Sequence, residues 1–226
     1  MNPPESSHQC VKRYRKRIDS RVPPLLRRSA KFGFLGGMPV ADQIDHALGF
    51  VWSVETELER HPHSVVDLGS GGGIPGIVLL SCWPGARVVL LDANERRTEF
   101  LEEETRAWSD SPHVEVVRGR AEEIGQDEAF REQFEVVTAR SFGPPAVTAE
   151  CGSPLLALGG MMVVSEPPDN TDEIRWPADG ISQLGMTCGE HLRFDDRFGY
   201  QVLHKLEFTP ERYPRRVGIP AKRPLF

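Results

Sequence analysis

The chain has no run of apolar residues near the roughly 18 that a membrane-crossing helix requires. Its first residues, Met1-Asn2-Pro3-Pro4-Glu5, lack the apolar centre of an export signal, so a cytoplasmic protein without a membrane partner is expected. Cysteine is scarce as well. Cys10, Cys82, Cys151 and Cys188 stand far apart with no C-x-x-C pair, which argues for isolated reduced thiols and against a disulfide framework or thiolate zinc site. His61-Pro62-His63 alone does not make a metal site, and no metal is expected. Internal repeats and low-complexity tracts are missing too. What remains, 39% apolar and 27% charged residues over 226 positions, suits a soluble globular protein with one sizeable core.

Charge is unevenly placed within a net −6. Lys12, Arg13, Arg15, Lys16, Arg17, Arg21, Arg27, Arg28 and Lys31 crowd the start, against Glu5 and Asp19. Arg212, Arg215, Arg216, Lys222 and Arg223 crowd the tail against Glu211, and the body between is strongly acidic. Two basic ends on an acidic body suit a polyanion held by the ends. For residues 1–20 a solubilising disordered tail is the equal alternative. Residues 1–24, closed by Pro23-Pro24, read as a flexible basic arm, and 25–38, broken by Gly33, Gly36 and Gly37, as a connector. The main domain is expected over 39–226.

From Pro39, apolar positions Val40, Ile44, Ala47, Leu48, Val51, Trp52 and Leu58 recur at helical spacing to about Arg60. Apolar runs at 64–69, 87–92, 113–117, 134–139 and 160–165 then alternate with helical stretches at about 75–82, 94–108, 126–133 and 146–158. That alternation predicts a parallel sheet covered on both faces. Beyond Pro167-Pro168, a helix near 171–185 and strands near 187–194 and 199–208 are expected, the strands as an antiparallel edge pair. The fold class is α/β: a doubly wound, mostly parallel, seven-stranded, Rossmann-like sheet with a short N-terminal helical extension.

The most informative stretch is Val65-Val66-Asp67-Leu68-Gly69-Ser70-Gly71-Gly72-Gly73-Ile74-Pro75-Gly76. It reads as a buried strand entering a helix through a loop nearly free of side chains, where glycine lets the backbone turn and approach a ligand. Gly71, Gly73 and Gly76 fit the dinucleotide pattern G-x-G-x-x-G, while Gly69, Gly71 and Gly73 fit a compact G-x-G-x-G after an acid. Two features favour the compact pattern. Asp67 puts an acid where a pyrophosphate site has an apolar residue, and Pro75 removes an N–H that a helix N-terminus would offer to phosphate. Asp92 ends the next strand, where a carboxylate can take both hydroxyls of a ribose, a feature both patterns share; the alternative for Asp92 is a cap on the following helix. Together these residues describe an adenosine ligand with a cationic end, as in S-adenosylmethionine. Asp67 either contacts that ligand, directly or through the loop, or caps the loop's own N–H groups.

Several segments resemble one family. They are Asp67 to Gly76, Leu91-Asp92 with Arg96-Arg97-Thr98-Glu99-Phe100-Leu101, Gly119-Arg120-Ala121-Glu122-Glu123, and Thr138-Ala139-Arg140-Ser141-Phe142. With the tail Tyr213-Pro214-Arg215-Arg216-Val217-Gly218-Ile219-Pro220-Ala221-Lys222-Arg223-Pro224-Leu225, they are similar to the GidB family, bacterial 16S ribosomal RNA guanine-N7 methyltransferases of class I. The likeness is continuous over about 64–165 and returns at 211–225. It implies S-adenosylmethionine as cofactor, contacts to it at Gly69, Ile74, Ala121, Glu122 and Arg140, and 16S ribosomal RNA or a small-subunit particle as partner. Asp67, Gly71, Gly73 and Asp92 join the cofactor set from their own chemistry. Two segments depart from the family. Upstream, only Asp45-His46 remains of an Arg-His…Asp-Ser pattern, and Ser165-Glu166-Pro167-Pro168 replaces a Lys-Gly. Both lie where a substrate would be held.

Guanine N7 carries a free lone pair, so its methylation needs no general base, and alignment can supply up to roughly 7–11 kcal/mol. Arg140 is the expected catalytic residue, positioning the nucleotide or balancing its charge; its alternative is a surface salt bridge. Arg215, Arg216, Lys222 and Arg223 are expected to hold phosphates of an unstacked RNA segment. The rival readings are a methyltransferase of a small molecule or protein, an NAD-dependent oxidoreductase using Gly71, Gly73 and Gly76, and a catalytically silent binding module.

Overall fold

A computed structural model describes residues 7–106, 108, 113–167 and 174–226. Its strands are β1 (Ser64–Leu68), β2 (Arg87–Asp92), β3 (Val114–Arg118), β4 (Phe134–Ala139), β5 (Leu156–Glu166), β6 (Met186–Phe194) and β7 (Phe198–Lys205). They form one sheet in the order β3-β2-β1-β4-β5-β7-β6. The first five are parallel, with Val66 opposite Val89 and Val137, and β7 runs antiparallel to both β5 and β6. Chain order reverses between β1 and β4, which opens a crevice at their carboxyl ends.

The helices are α1 (Ser7–Arg15), α2 (Val22–Lys31), α3 (Val40–Leu58), α4 (Gly76–Cys82), α5 (Glu95–Thr105), α6 (Ala121–Ile124), α7 (Pro145–Gly152), α8 (Ala178–Ser182) and α9 (Ile219–Lys222). Successive strand residues point to opposite faces. Val65, Val88 and Val136 therefore pack beneath α1 to α5, while Val66, Val89 and Val137 pack with α6 to α8 and Tyr213. Among the described residues no helix is long and apolar enough to cross a membrane.

The largest difference from the sequence reading lies at the N-terminus. Residues 7–31, expected within an arm and connector, form α1 and α2 and enter the core through Cys10, Val11, Tyr14, Val22, Leu25 and Leu26. Residues 1–6 of that arm lie outside the described residues. The physical reason is pairing. Arg15 clamps the buried Asp45 at 2.6 and 2.5 Å, and Glu55 accepts from Tyr14, Arg17 and Trp83 at 2.9, 2.9 and 2.8 Å. These cations answer acids of α3 rather than solvent. Pro23 and Pro24 sit in the first turn of α2, where a missing N–H costs nothing.

Smaller shifts follow local chemistry. The expected helix over 126–133 is a run of turns, and a short helix, α6, precedes it. The helix after β4 stops at Gly152, passes through a 3₁₀ turn at Ser153–Leu155, and lets β5 begin at Leu156. Of the helix expected near 171–185, residues 171–173 lie outside the described residues and α8 covers the rest in part.

If α2 belongs to the fold, Leu26→Ala, at a fully buried position, will destabilise the chain by about 2–5 kcal/mol. Urea unfolding will read this; a detached arm would leave the midpoint unchanged.

Candidate functional site

The site is built where β1 and β4 diverge. Gly69 and Ser70 both donate to Leu91 O, at 2.8 and 2.9 Å, so the loop after β1 is laid across the end of β2. Gly69 has φ of +76°, and a Cβ there would come within 2.6 Å of the Phe142 ring. Only glycine suits both conditions. The Ile74–Pro75 peptide bond that leads into α4 is cis.

Asp67 lies under this loop with no exposed surface. Its Oδ2 accepts the Gly76 N–H at 2.8 Å, and its Oδ1 accepts the Thr138 hydroxyl at 3.2 Å. Burial pushes its carboxyl up to about 6, against the lowering effect of the Gly76 N–H. Of the two roles expected for Asp67, the structure gives it the cap of the loop, and it lines neither cavity described below. Gly73 lines neither as well; it faces Ile77 and Leu101.

Asp92 is also buried, but at the cleft wall. Its Oδ2 accepts from Gly71 N at 2.8 Å and its Oδ1 from Asn94 N at 2.8 Å, while Asn94 itself caps α5. Asp92, Gly69, Arg97, Ala121, Glu122 and Phe142 surround a cavity of about 330 Å³. Burial raises the Glu122 carboxyl, but the Gly218 N–H, at 3.0 Å, and Arg120 outweigh this and hold it below the usual carboxylate range.

A second cavity, of about 260 Å³, lies on the other side of Gly69, lined by Gly71, Ile74 and Arg140 with Phe34, Gln43 and Ser141. Arg140 is half-buried and makes no hydrogen bond or ion pair among the described residues. Burial lowers its pKa against the raising fields of Tyr200 and Asp67. It stands ready for an anionic or carbonyl oxygen, and the salt-bridge alternative is not seen. His46, from the segment that departs from the family, lies close by and is pushed down to about 3 by burial and by Arg140, so it is a neutral imidazole.

The sequence missed Phe34, Leu35, Gly36 and Gln43, which reach the cleft because α2 packs on the loop, Ser29 donating to Gly72 O at 2.8 Å. No local motif marks them. In the tail, one expected RNA cation is already engaged. Arg215, expected on RNA, is held by the fully buried Glu150 through its backbone N, Nε and Nη2 at 2.9, 2.8 and 2.6 Å. A guanidinium fixed in that bidentate pair cannot also grip phosphate along the same edge. Arg216, Lys222 and Arg223 are exposed, and Ala221 between them lines the Asp92 cavity.

A sheet of this order, with a glycine loop after its first strand and an acid ending its second, defines the class I methyltransferase fold. Solved structures share it. A putative caffeoyl-CoA O-methyltransferase from Staphylococcus aureus aligns with a TM-score of 0.58 at 13% identity, covering 88% of this chain and 98% of that one. An O-methyltransferase from Bacillus cereus in complex with SAH aligns with a TM-score of 0.54 at 13% identity, covering 84% and 91%. Within this class, the GidB family model, described as rRNA small subunit methyltransferase G, matches residues 44–186, and the chain belongs to that family. Ribosomal RNA small subunit methyltransferase G of Carboxydothermus hydrogenoformans is 39% identical over 72% of this chain and 71% of its own length. That of Alkaliphilus metalliredigens is 32% identical over 80% and 78%.

Two tests follow from the geometry. Arg215→Ala, which leaves the buried Glu150 with a backbone N–H but no counter-charge, will cost about 3–5 kcal/mol of unfolding free energy. A surface cation would cost almost nothing. For Asp67 the folded pKa, about 6, lies above the ordinary 3.8, so its protonation favours the fold. That contribution is fully present below about pH 4 and is lost as pH rises through 6. The stability of Asp67→Asn relative to the parent will therefore rise between pH 4 and 6 and level off above. A flat difference would show that Asp67 titrates normally.

Proposed function

We propose that the chain transfers a methyl group from S-adenosylmethionine to guanine N7 in 16S ribosomal RNA, as the free RNA or within a small-subunit particle. The observation that carries this reading is the paired cavity around Gly69, with carboxylates at one end and the unpaired Arg140 at the other, in a chain of the GidB family. The residues present suit the cofactor. Gly69 and Gly71 leave backbone rather than side chain along the cleft. Each Asp92 oxygen accepts one backbone N–H, Arg97 lies 3.6 Å from Oδ2, and the remaining lone pairs suit a pair of hydroxyls. Ala121 and Glu122 form the wall beyond it. When bound there, S-adenosylmethionine supplies a methyl group on a positively charged sulfur.

The chain's own contribution is alignment and exclusion of water. The Phe142 ring closes over Gly69, and Arg140 offers its donors to a base or phosphate oxygen. No side chain has to remove a proton, because N7 presents a lone pair; the neutral, buried His46 is consistent with that. Glu166, from the departing segment at the end of β5, is paired with Arg175 and does not put a bare acid into the crevice. The dinucleotide alternative loses support, since the Gly76 N–H is taken by Asp67. A small-molecule or protein acceptor stays the second reading, because the pairing of Arg215 with Glu150 removes one cation expected for RNA.

Mass mapping of 7-methylguanosine in 16S RNA from cells with and without the gene will show one modification that depends on this chain; identical maps would move the reading to another acceptor. Asp92→Ala will weaken S-adenosylmethionine binding at least tenfold, about 1.4 kcal/mol, by calorimetry. Unchanged affinity would place the ribose acid elsewhere.

A further inference from the structure

An aromatic face lies uncovered beside the cleft. Phe32, at the C-terminal cap of α2, is 58% exposed. Its ring lies against Phe34 at 5.7 Å with 21° between the planes, and Phe100 of α5 meets both rings edge-on at 5.7 Å. The inner partners fix the Phe32 ring, and its outer side faces solvent. A hollow of about 210 Å³ opens between these rings and Arg96, Glu99 and Glu103 of α5. Phe34 lines this hollow and also the cavity of Gly71 and Arg140, so the two sites adjoin. Arg27 and Lys31 of α2 are exposed, and the Arg96 guanidinium lies 6.0 Å from the Phe34 ring.

We propose that this face stacks an unpaired guanine of the RNA substrate, a neighbour of the nucleotide that receives the methyl group. The proposal rests on the RNA reading above and names the part of the RNA that the chain holds. An exposed ring backed by rigid aromatic partners suits the π-face of any base. Glu99 and Glu103, which only accept hydrogen bonds when ionised, select a base edge rich in donors, and guanine offers N1–H and the N2 amino group there. The strand's phosphates are assigned to the exposed cations of α2, Arg27 and Lys31. The hollow thus carries both signs, Glu99 and Glu103 to accept and Arg96 to donate, and a guanine edge offers the N1–H and N2 donors beside the O6 acceptor.

The test uses the full chain and unmodified 16S RNA. Phe32→Ala is expected to raise the KM for RNA about tenfold, with kcat, S-adenosylmethionine affinity and the unfolding midpoint unchanged. Phe32→Trp is expected to keep activity and to show fluorescence quenching, beyond that of the parent's own tryptophans, with a single-stranded hexanucleotide carrying one guanine. The same hexanucleotide with adenine in that place is expected to quench less, and the Glu99→Gln, Glu103→Gln double variant to abolish the difference. An unchanged RNA KM in Phe32→Ala, or no added quenching in Phe32→Trp, overturns the proposal, and equal quenching by both hexanucleotides overturns the choice of guanine. Loss of binding to small-subunit particles with unchanged KM for free RNA overturns it in favour of a ribosomal protein. If the parent fails to methylate 16S RNA while Phe32→Trp is quenched selectively, the platform stands and the reading of the acceptor falls.

Discussion

A carboxylate with no exposed surface holds the cleft in shape. Asp67 joins the end of β1 to the first turn of α4 through Gly76 and to β4 through Thr138. An ionised carboxylate without partners in such a place would be very costly, and even with these two bonds burial pushes its pKa up to about 6. The consequence reaches function. The helix N-terminus that other nucleotide-binding folds aim at phosphate is here turned onto the protein's own acid, and Pro75 offers no N–H in its place. One buried side chain thus decides that the loop presents glycine backbone edges, and not an anion-binding helix end, to whatever lies in the cleft.

The strands and their mostly parallel sheet were legible because each strand is a local apolar run with a turn on either side. No distant residue is needed to recognise Val88 to Leu91 or Val136 to Ala139. The N-terminal helices were not legible for the opposite reason. Arg15 and Arg17 look like an unneutralised basic run until Asp45 and Glu55, some 30 to 38 residues further on, are brought against them. Composition counts charges but cannot pair them. The same packing delivers Phe34 to Gly36 and Gln43 to the cleft, so the missed site residues and the missed helices have one cause.

The tail shows this limit at the other end. Its basic residues suggested a hold on RNA, yet Arg215 is fastened to Glu150 and the Gly218 N–H to Glu122. The segment is therefore a wall of the carboxylate-lined cavity, which Ala221 completes. Site residues at strand ends, Gly69, Asp92 and Arg140, could be placed from sequence, because a parallel sheet puts the carboxyl ends of its strands at one edge. Residues brought there by the far end of the chain had no such rule. Resemblance found the tail segment, but its charges alone did not show that Arg215 is spent on Glu150.

The two cavities meet at Gly69, and that junction sets the strictest geometric demand on the site. Ser141 takes a φ of +53° without being glycine, a conformation that costs on the order of 1–3 kcal/mol. It turns the chain after β4 so that Phe142 lies on Gly69, and Arg97, Ser141 and Gly69 itself border both cavities. At Gly71 a Cβ would meet nothing closer than 3.8 Å, whereas at Gly69 it would strike the Phe142 ring at 2.6 Å. Gly72 is tight against Ser29 and Leu35 of the N-terminal helical segment, but at Gly69 the close neighbour is the ring of Phe142, where a ligand reaching from Asp92 toward Arg140 must pass between backbone and ring. Glycine at 69 and left-handed backbone at 141 are two halves of one constraint, since a side chain at 69 would displace the ring that Ser141 positions.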